Sequence, residues 1–386
     1  MKNFEYWNPT RIVFGKDTIK LLQDLIPVEA KILITYGGGS IKKNGIYDQV
    51  KDALAGRTWL EFGGIEPNPT YETLMEAVKV VRKELVTFIL AVGGGSVLDG
   101  TKFISAASNY IGDDPWDIWK NGAKFENPIP FGSVLTLPAT GSEMNSGAVI
   151  TRKSTVEKLS GGHPSLFPKF SILDPETTYS LPQKQLRNGI VDTFMHVMEQ
   201  YLTCPMNTPL QDRQAEAILK TLVEDHQKMM QSDPADYDAR ASFMWCATQA
   251  LNGTLRSGVV TDWATHVIAH ELTAFYGLAH AETLAIIYPA LIQYKGEHKT
   301  EKMRQYLERI FDLRGLSDEE TQLAAVEKTK KFLHTLGMPT QLNDYGINPD
   351  EAAQKISQRF AERGWKLGEH QDILAEDVRR IVLAAA

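Results

Sequence analysis

Three of the nine histidines of the chain, His266, His270 and His280, lie within one short stretch, residues 258–284. Apolar residues recur there at helical spacing, which predicts a largely buried helix: Trp263, Val267, Leu272 and Phe275. His266 and His270 are four residues apart and therefore share one face of that helix. Such a pair is typical of a metal site or of a proton-exchanging site, but it also occurs as two hydrogen-bonded core residues. The pair alone leaves both interpretations open.

His280 extends this pattern only if the chain turns. On one straight helix it would lie about 21 Å from His266, at about 1.5 Å per residue. That separation excludes a shared metal, whose ligands each lie about 2.0–2.2 Å from it. Gly277 stands between the two histidines and can end the helix. We therefore predict a second helix over Ala281–Tyr294, with His280 at its start and directed back at the first helix.

A carboxylate and another imidazole occur upstream, in Gly189–Tyr201. Asp192 and His196 are four residues apart, on a predicted helix whose other face is apolar. One carboxylate and two or three imidazoles on separate helices suit a borderline divalent cation such as Zn²⁺ or Fe²⁺. The pattern therefore predicts a metal site, without deciding between His266–His270 and His266–His280 as the downstream ligands.

The elements that must position these residues differ between the two halves of the chain. The first half alternates short apolar strands with amphipathic helices, which predicts a mostly parallel sheet with helices on both faces. The predicted strands are Arg11–Phe14, Lys31–Tyr36, Thr58–Phe62, Thr87–Val92 and Ser133–Leu137. The predicted helices between them are Asp17–Ile26, Tyr47–Leu54, Tyr71–Glu84 and one that ends near Ala107. From about Gln183 onwards the pattern is helical throughout, so we predict an α/β domain over 1–182 and an all-α domain over 183–386.

The helical half contains eight amphipathic segments with almost no strand pattern between them. These are Leu186–Leu202, Gln211–Met230, Tyr237–Leu255, Trp263–Tyr276, Ala281–Tyr294, Glu301–Phe311, Glu319–Leu336 and Asp350–Glu362.

Two glycine-rich loops follow predicted strands. Gly93, Gly94, Gly95 and Ser96 connect a strand to a helix, where backbone N–H groups and the helix dipole favour a pyrophosphate. The alternative is a strand–helix turn without a ligand, but three consecutive glycines exceed what such a turn requires. The sequence lacks the GxGxxG fingerprint, so the loop is not assigned by that motif.

The earlier loop bears on the choice of cofactor. Gly37, Gly38, Gly39 and Ser40 follow Tyr36, and NAD-type sites usually place an acid near the end of a neighbouring strand to bind the ribose 2′-hydroxyl. No acid is predicted at this strand end: the next acid after Tyr36 is Asp48, and Lys42 and Lys43 come before it. This order favours a 2′-phosphate and hence NADP(H), although two solvated lysines beside a turn would give the same pattern.

A third polar loop, Thr136–Glu143, follows another strand. The hydroxyl groups of Thr136 and Thr140 could contact a cofactor, but an ordinary capping loop explains the same residues.

Composition excludes several classes of protein. The 386 residues carry a net charge of −7, with 43% hydrophobic and 23% charged residues. An acidic chain without a stripe of basic residues argues against nucleic-acid binding. No apolar leader and no run of 18 apolar residues occur, so neither a signal peptide nor a membrane span is predicted. Cys204 and Cys246 are isolated, which is typical of reduced thiols in a cytoplasmic protein.

Taken together, these residues resemble the iron-containing (group III) alcohol dehydrogenases. GGGSVLDGTK at 93–102, LPATGSE at 137–143, GIVDTFMHVMEQY at 189–201 and HVIAHELTAFYGLAHAETLA at 266–285 occur in the order and spacing of that family. The similarity spans nearly the whole chain. YGGGSIKKNG at 36–45 is similar to the NADPH-dependent butanol dehydrogenase and aldehyde reductase branch.

The resemblance implies a dehydroquinate synthase-like fold: a dinucleotide-binding α/β domain, a helical metal domain and a cleft between them. It implies Asp192, His196, His266 and His280 as ligands of Fe²⁺ or Zn²⁺, with His270 beside the metal. The implied catalytic residues are His270, as proton donor, and His280. The cofactor residues implied by the resemblance and by the loops are Gly37, Gly38, Gly39, Ser40, Lys43, Asn68, Gly93, Gly94, Gly95, Ser96, Asp99, Thr136, Leu137, Thr140, Asn145 and Lys158.

The expected reaction is reversible hydride transfer between NADP(H) and small aliphatic aldehydes or primary alcohols, in a cytoplasmic homodimer. The alternatives are a dehydroquinate synthase-type lyase, a glycerol dehydrogenase-like NAD enzyme and a non-catalytic metal or nucleotide sensor. A lyase of that type must hold a phosphate and a carboxylate, so it should concentrate Lys and Arg around the metal helices. Neither Gly189–Tyr201 nor Gly258–Leu284 contains either residue type.

Overall fold

A computed structural model describes residues 1–232 and 235–386. The chain divides into two compact units, here called the α/β unit and the helical unit. The α/β unit comprises Trp7–Pro182 and Gln231–Asn252, and the helical unit comprises Met1–Tyr6, Gln183–Met230 and Gly253–Ala386. The division predicted from the sequence assigns 1–6 and 231–252 to the opposite units. Periodicity identifies a helix and its apolar face, but it does not say which unit covers that face.

The α/β unit is built on a six-stranded sheet in which every pair of neighbours is parallel, in the order β1-β8-β5-β4-β2-β3. The central strands β2 and β4 consist almost entirely of buried residues, because helices cover both faces of the sheet. The sheet confirms the predicted fold class. Its strands are β1 (Arg11–Phe14), β2 (Ile32–Tyr36), β3 (Trp59–Phe62), β4 (Phe88–Gly94), β5 (Phe131–Leu137) and β8 (Phe170–Leu173).

Two features of this unit were not predicted. Strands β6 (Gly147–Arg152) and β7 (Glu157–Gly162) form a separate antiparallel hairpin. The charged and glycine residues of β7 obscure its alternation, which is why the pattern is weak. β8 is only four residues long and lies between Pro168 and Pro175, so it gives little periodic signal.

The helices agree with the predicted segments to within a few residues, with three exceptions. The predicted helix Asp17–Ile26 is a 3₁₀ turn, Thr18–Leu21, followed by the single helical turn α1. The C-terminal helix α14 was not predicted, and neither was the single helical turn α5. The helices are α1 (Leu22–Leu25), α2 (Ile46–Ala53), α3 (Tyr71–Glu84), α4 (Gly95–Ser108), α5 (Asp117–Lys120), α6 (Gln183–Tyr201), α7 (Pro209–Met230), α8 (Tyr237–Ala250), α9 (Ala264–Tyr276), α10 (His280–Lys295), α11 (Thr300–Phe311), α12 (Asp318–Thr335), α13 (Pro349–Arg363) and α14 (Ala375–Ala384).

Helix α8 belongs to the α/β unit because its apolar residues pack there. Met244 joins a small core with Leu135, Leu173 and Ile12. Arg240, also on α8, is fully buried and donates a hydrogen bond to the carbonyl of Thr178 at 2.6 Å. Within the described residues, no helix combines the length and the apolar character that a membrane span requires.

Candidate metal centre and cofactor loops

The break between α9 and α10 is what brings the candidate ligands of the helical unit together. Helix α9 ends at Tyr276, and Gly277 adopts a left-handed conformation with φ of 71°, its N–H donating to Thr273 O at 2.9 Å. Glycine adopts this conformation without a steric penalty. Helix α10 then begins at His280, with the Glu282 carboxylate accepting a hydrogen bond from Ala279 N. The predicted turn and second helix are confirmed.

The start of α9 is fixed by charged and strained residues. Trp263 precedes the helix with φ of 67°, a conformation that costs of order 1–3 kcal/mol in a bulky residue. Asp262 Oδ1 accepts a hydrogen bond from Ala264 N at 3.0 Å, and Asp262 N donates to Glu199 O at 2.9 Å. The buried Lys299 ammonium pairs with Asp262 and with Glu369. These contacts hold the helical turn that carries His266.

Three of the predicted ligands form a tight cluster. One donor atom from each of Asp192, His196 and His266 lies within 4.8 Å of the other two, and all three residues are buried. The rings of His196 and His266 are nearly parallel, with centroids 4.8 Å apart. Helix α6 carries Asp192 and His196, and α9 carries His266, so the cluster joins two helices.

His280 borders this cluster from a third helix. Its Nε2 atom is 3.8 Å from Asp192 Oδ1, and its ring centroid is 5.3 Å from that of His266. His270 lies on the far side of His280, with ring centroids 5.1 Å apart. The structure thus brings all five residues into one region but leaves both His270 and His280 outside the three-residue cluster.

The donor set fits a divalent cation. Asp192 is 5% exposed, and its Oδ1 atom has no hydrogen-bond partner among the described residues. A buried carboxylate oxygen without a hydrogen bond is costly unless a cation compensates it. One carboxylate and imidazole nitrogens are ligands that Zn²⁺ and Fe²⁺ accept. The chemistry of the buried groups therefore supports the predicted metal.

Glu199 is a further buried acid beside the cluster that sequence reasoning did not single out. Its Oε1 atom accepts a hydrogen bond from Thr265 N at 3.0 Å, and its Oε2 atom lies 4.0 Å from His266 Nδ1. Burial, followed by repulsion from Asp262, raises the pKa of Glu199 to about 8. Its position one turn beyond His196 in the quoted motif was the available signal.

The candidate cofactor loops lie in the α/β unit, at the carboxyl ends of β2 and β4. Gly94 precedes α4 without a side-chain cap, so backbone N–H groups of the first turn are available to a ligand. At Gly38 and Gly39 an added Cβ would meet nothing within 4 Å. The backbone is therefore accessible at both strand ends, and pyrophosphate binding there stays a prediction.

The glycines after β4 also serve the packing of the protein itself. A Cβ on Gly93 would lie 2.5 Å from Val97 Cγ2, and one on Gly95 would lie 2.4 Å from Thr140 Oγ1. A Cβ on Gly94 would lie 2.9 Å from Leu137 Cβ. These positions require glycine whether or not a ligand binds. The predicted residues Leu137 and Thr140 are therefore in contact with the glycine turn.

Several other predicted cofactor residues hold the loop between β5 and β6. Asp99 accepts hydrogen bonds from Ser142 Oγ at 2.6 Å and from Val149 N at 2.9 Å. Asn145 accepts from Lys102 Nζ at 3.0 Å and donates to Gly141 O at 2.8 Å. Both side chains are thus engaged in the shape of the loop.

Lys102 is fully buried at the centre of this network and was not predicted as a site residue. Its Nζ donates to Ser142 Oγ and Gly147 O, each at 2.7 Å. Burial lowers the pKa of Lys102 to about 8, although Asp99 and Glu143 oppose that shift. Lys102 is the last residue of the motif GGGSVLDGTK, and this position was the available signal. A lysine by itself does not indicate a buried role.

The remaining predicted cofactor residues are one hydrogen-bonded pair and several residues near the ends of β2, β4 and β5. Lys158 Nζ donates to Asn68 Oδ1 at 2.9 Å, so β7 and the loop after β3 bring these two together. Gly37 lies against Ile65 O, Ser40 begins a 3₁₀ turn, and Lys43 is exposed beyond it. Ser96 lies in the first turn of α4, and Thr136 lies near the end of β5.

One acid near the end of β2 escaped the sequence argument. Asp48 is the first acid after Tyr36 along the chain, whereas Glu61, further along, stands on the neighbouring strand β3, opposite Ile34 of β2. It forms an ion pair with Lys42, Nζ to Oε1 2.9 Å. The statement that no acid stands at this strand end was therefore wrong, because sheet order is not visible in the sequence.

Comparison with known proteins agrees with this arrangement of fold and donor groups. Residues 9–175 match the model of iron-containing alcohol dehydrogenases, and residues 187–386 match the C-terminal model of the Fe-containing alcohol dehydrogenase family. The chain therefore belongs to the iron-containing alcohol dehydrogenase family, as the resemblance predicted.

Relatives span the full length of the chain. The NADPH-dependent aldehyde reductase YqhD of Escherichia coli is 53% identical, with both chains covered completely. A probable NADH-dependent butanol dehydrogenase of Bacillus subtilis is 43% identical, again over the whole of both chains. A solved structure of NADH-dependent butanol dehydrogenase A from Thermotoga maritima has a TM-score of 0.94 at 39% identity, covering 100% of this chain and 99% of that one.

We predict that removing any one candidate ligand weakens metal retention. Single changes of Asp192, His196, His266 or His280 to alanine remove a donor and should lower metal content per chain at least tenfold after dialysis, measured by elemental analysis. Loss of a hydrogen bond that orients a ligand typically costs 10- to 100-fold in metal affinity, so loss of the ligand itself should cost no less. The matched control is His334→Ala, an exposed histidine of the same unit. Full occupancy in His280→Ala would instead favour His266 and His270 as the downstream ligands.

Proposed function

We propose that the protein is a metal-dependent, NADP(H)-linked alcohol dehydrogenase and aldehyde reductase. It would transfer a hydride reversibly between C4 of the nicotinamide and the carbonyl carbon of small aliphatic aldehydes. The observation that carries the proposal is the buried cluster of Asp192, His196 and His266, bordered by His280, in a family that includes an NADPH-dependent aldehyde reductase.

The four residues would hold one Fe²⁺ or Zn²⁺ ion. When bound, such an ion supplies Lewis-acid polarisation of a carbonyl oxygen. Asp192 contributes the single formal charge of the set, and the imidazoles contribute neutral donors. The packed helices α6, α9 and α10 fix these side chains in advance, which reduces the cost of ordering them on binding.

His270 would exchange the proton that accompanies hydride transfer. It is buried, one turn after His266 on α9, and its ring neighbours that of His280. An imidazole titrates near neutral pH, which suits proton exchange with an alcohol oxygen. The competing role is helix packing alone, with solvent supplying the proton.

The aromatic residues near α9 support preference for uncharged, unbranched substrates, but unequally. Trp263 lies edge-on to His266, with ring centroids 5.2 Å apart. The Arg359 guanidinium covers the ring of Phe275 at 3.9 Å from its centroid, and Lys355 lies 5.8 Å from that of Tyr276. An apolar substrate site would therefore depend on Trp263 more than on the other two.

The alternatives are less well supported. Dehydroquinate synthase-type chemistry needs cationic residues for a phosphate and a carboxylate, and the buried Lys299 is already paired with two carboxylates. Both halves of the chain match alcohol dehydrogenase models. Cys204 and Cys246 are not in a disulfide, which suits the cytoplasmic location that we also propose.

We expect NADPH to be preferred over NADH, and Gly38→Asp to reverse that preference. Gly38 has open space for a side chain and a φ outside the left-handed region, so the substitution should not strain the loop. A carboxylate there repels a 2′-phosphate, and the kcat/KM ratio for NADPH over NADH should fall at least about tenfold. Gly38→Asn is the matched control of equal size without charge. Wild-type efficiency that is equal or higher with NADH would refute the preference.

We expect His270→Asn to retain metal and to lose turnover by about 10²-fold or more, the typical contribution of a general acid. The measurements are metal content, kcat and its pH profile in the same preparation. Wild-type turnover with an unchanged pH profile would remove His270 from the mechanism.

We further propose a homodimer that pairs β1 with its copy. β1 is an edge strand whose Arg11 and Gly15 N–H groups face β8, so Ile12 and Phe14 direct theirs outward. Phe14 and Trp245 are 40% and 41% exposed and lie edge to face, 6.0 Å between ring centroids. An exposed apolar strand edge is a template for pairing with another chain.

We expect Phe14→Lys to shift the protein to monomer in light scattering after size exclusion, whereas Ile111→Lys, at a fully exposed loop residue, should leave the mass unchanged. A wild-type monomer at micromolar concentration would exclude the interface, and so would a dimer that tolerates Phe14→Lys.

A further inference from the structure

Four side chains form one polar cluster at the carboxyl ends of β2 and β3, here called the Lys42 cluster. Lys42 Nζ donates to Glu61 Oε1 at 2.9 Å, and Tyr47 Oη donates to Glu61 Oε2 at 2.9 Å. The Lys42 ammonium also lies 4.9 Å from the ring centroid of Tyr36 and 4.8 Å from that of Tyr47. The ammonium is therefore held from several sides although it is partly exposed.

The Lys42 cluster adjoins the open glycine loop. Lys42 ends the 3₁₀ turn that begins at Ser40, and its N–H donates to Gly39 O at 3.1 Å. β3 runs parallel to β2 with Phe62 opposite Thr35, so Glu61 stands at the same end of the sheet. Dinucleotides bind at the carboxyl ends of strands in open α/β sheets, and the adenosine ribose lies near an acid there in NAD-type sites. The cluster thus lies where the 2′ substituent of the adenosine ribose is expected, which is a phosphate in NADPH and a hydroxyl in NADH.

The two charges of the cluster have opposite effects on the binding of a 2′-phosphate. Although partial burial raises it, hydrogen bonds from Lys42 and Tyr47 hold the pKa of Glu61 below its usual value, so the carboxylate is ionised at neutral pH. A phosphate monoester carries about −1.5 to −2 charges, which Lys42 attracts and Glu61 repels. A ribose 2′-hydroxyl carries no charge and can donate to a carboxylate. The pair as a whole is neutral.

We propose that Glu61 is a specificity-determining residue that restrains the preference for NADPH by opposing the 2′-phosphate and occupying Lys42. The proposal rests on the NADP(H)-linked function proposed above. The cofactor named differs among relatives that cover nearly the whole chain: one is named an NADPH-dependent aldehyde reductase, and others are named NADH-dependent butanol dehydrogenases.

The test is the dissociation constant of each reduced cofactor, measured by titration calorimetry on metal-loaded protein. Glu61→Gln should tighten NADPH by roughly three- to tenfold, the effect of one unit charge about 7 Å from a phosphate in water-like surroundings. NADH should bind no more tightly than before. Lys42→Met should lower the preference for NADPH at least about threefold. Both changes should shrink in high salt, because screening weakens interactions between exposed charges.

A matched control exists at the other end of the same strand. Lys31 precedes β2 and pairs with Glu84 at 3.2 Å, with side-chain exposures of 33% and 36% against 38% and 36% for Lys42 and Glu61. Glu84→Gln should change neither constant. If Glu61→Gln alters both cofactors equally, or lowers the preference for NADPH, the proposal is overturned. A wild-type preference for NADH would refute the proposed cofactor. The change in relative cofactor affinity caused by Glu61→Gln would still test the role of Glu61 by itself.

Discussion

A carboxylate and several imidazoles buried side by side are unfavourable unless something compensates them, and this constraint organises the helical unit. Asp192 lies among His196, His266 and His280 with one oxygen that no described residue hydrogen-bonds. Removing such groups from water costs several kcal/mol in the absence of a partner. A divalent cation supplies that partner, so the ligand geometry and the stability of the unit would depend on the same ion.

The supporting structure follows from the need to bring three helices to one point. Gly277 ends helix α9, so that the chain turns and His280 can face His266. Trp263, which precedes α9, has a strained backbone conformation. The buried Lys299 pairs with Asp262 and with Glu369 under that turn. Small displacements of these residues would move the imidazole of His266, so residues other than the ligands help to position the metal site.

The local features of the molecule could be predicted from the sequence, and the spatial ones could not. The break at Gly277 and the strand before Gly93 follow from local chemistry, so both were predicted within a few residues. The partner of a helix or strand depends on tertiary packing. That is why the sequence does not reveal that α8 packs with the α/β unit or that Glu61 stands beside β2. The choice of His280 over His270 as a ligand came from family resemblance, and the spacing alone left it open.

The α/β unit separates two kinds of constraint on cofactor binding. Gly93, Gly94 and Gly95 are required by contacts with Val97, Leu137 and Thr140, so this part of the cradle can hardly vary. The end of β2 is open and partly exposed, and its charges can change without disturbing the core. Relatives that differ in their nicotinamide cofactor are expected to differ there, whereas the packed glycine turn should remain the same.

The central claim is that the helical unit holds one divalent ion with a coordination position left for substrate. Titration of metal-free protein with Co²⁺, followed by visible absorption, tests it most directly because Co²⁺ reports both stoichiometry and geometry. The account predicts saturation at one ion per chain, with the intense bands of four- or five-coordinate cobalt that shift when a primary alcohol is added with oxidised cofactor. Absence of saturable binding, or a weak octahedral spectrum that does not respond to alcohol, would contradict it.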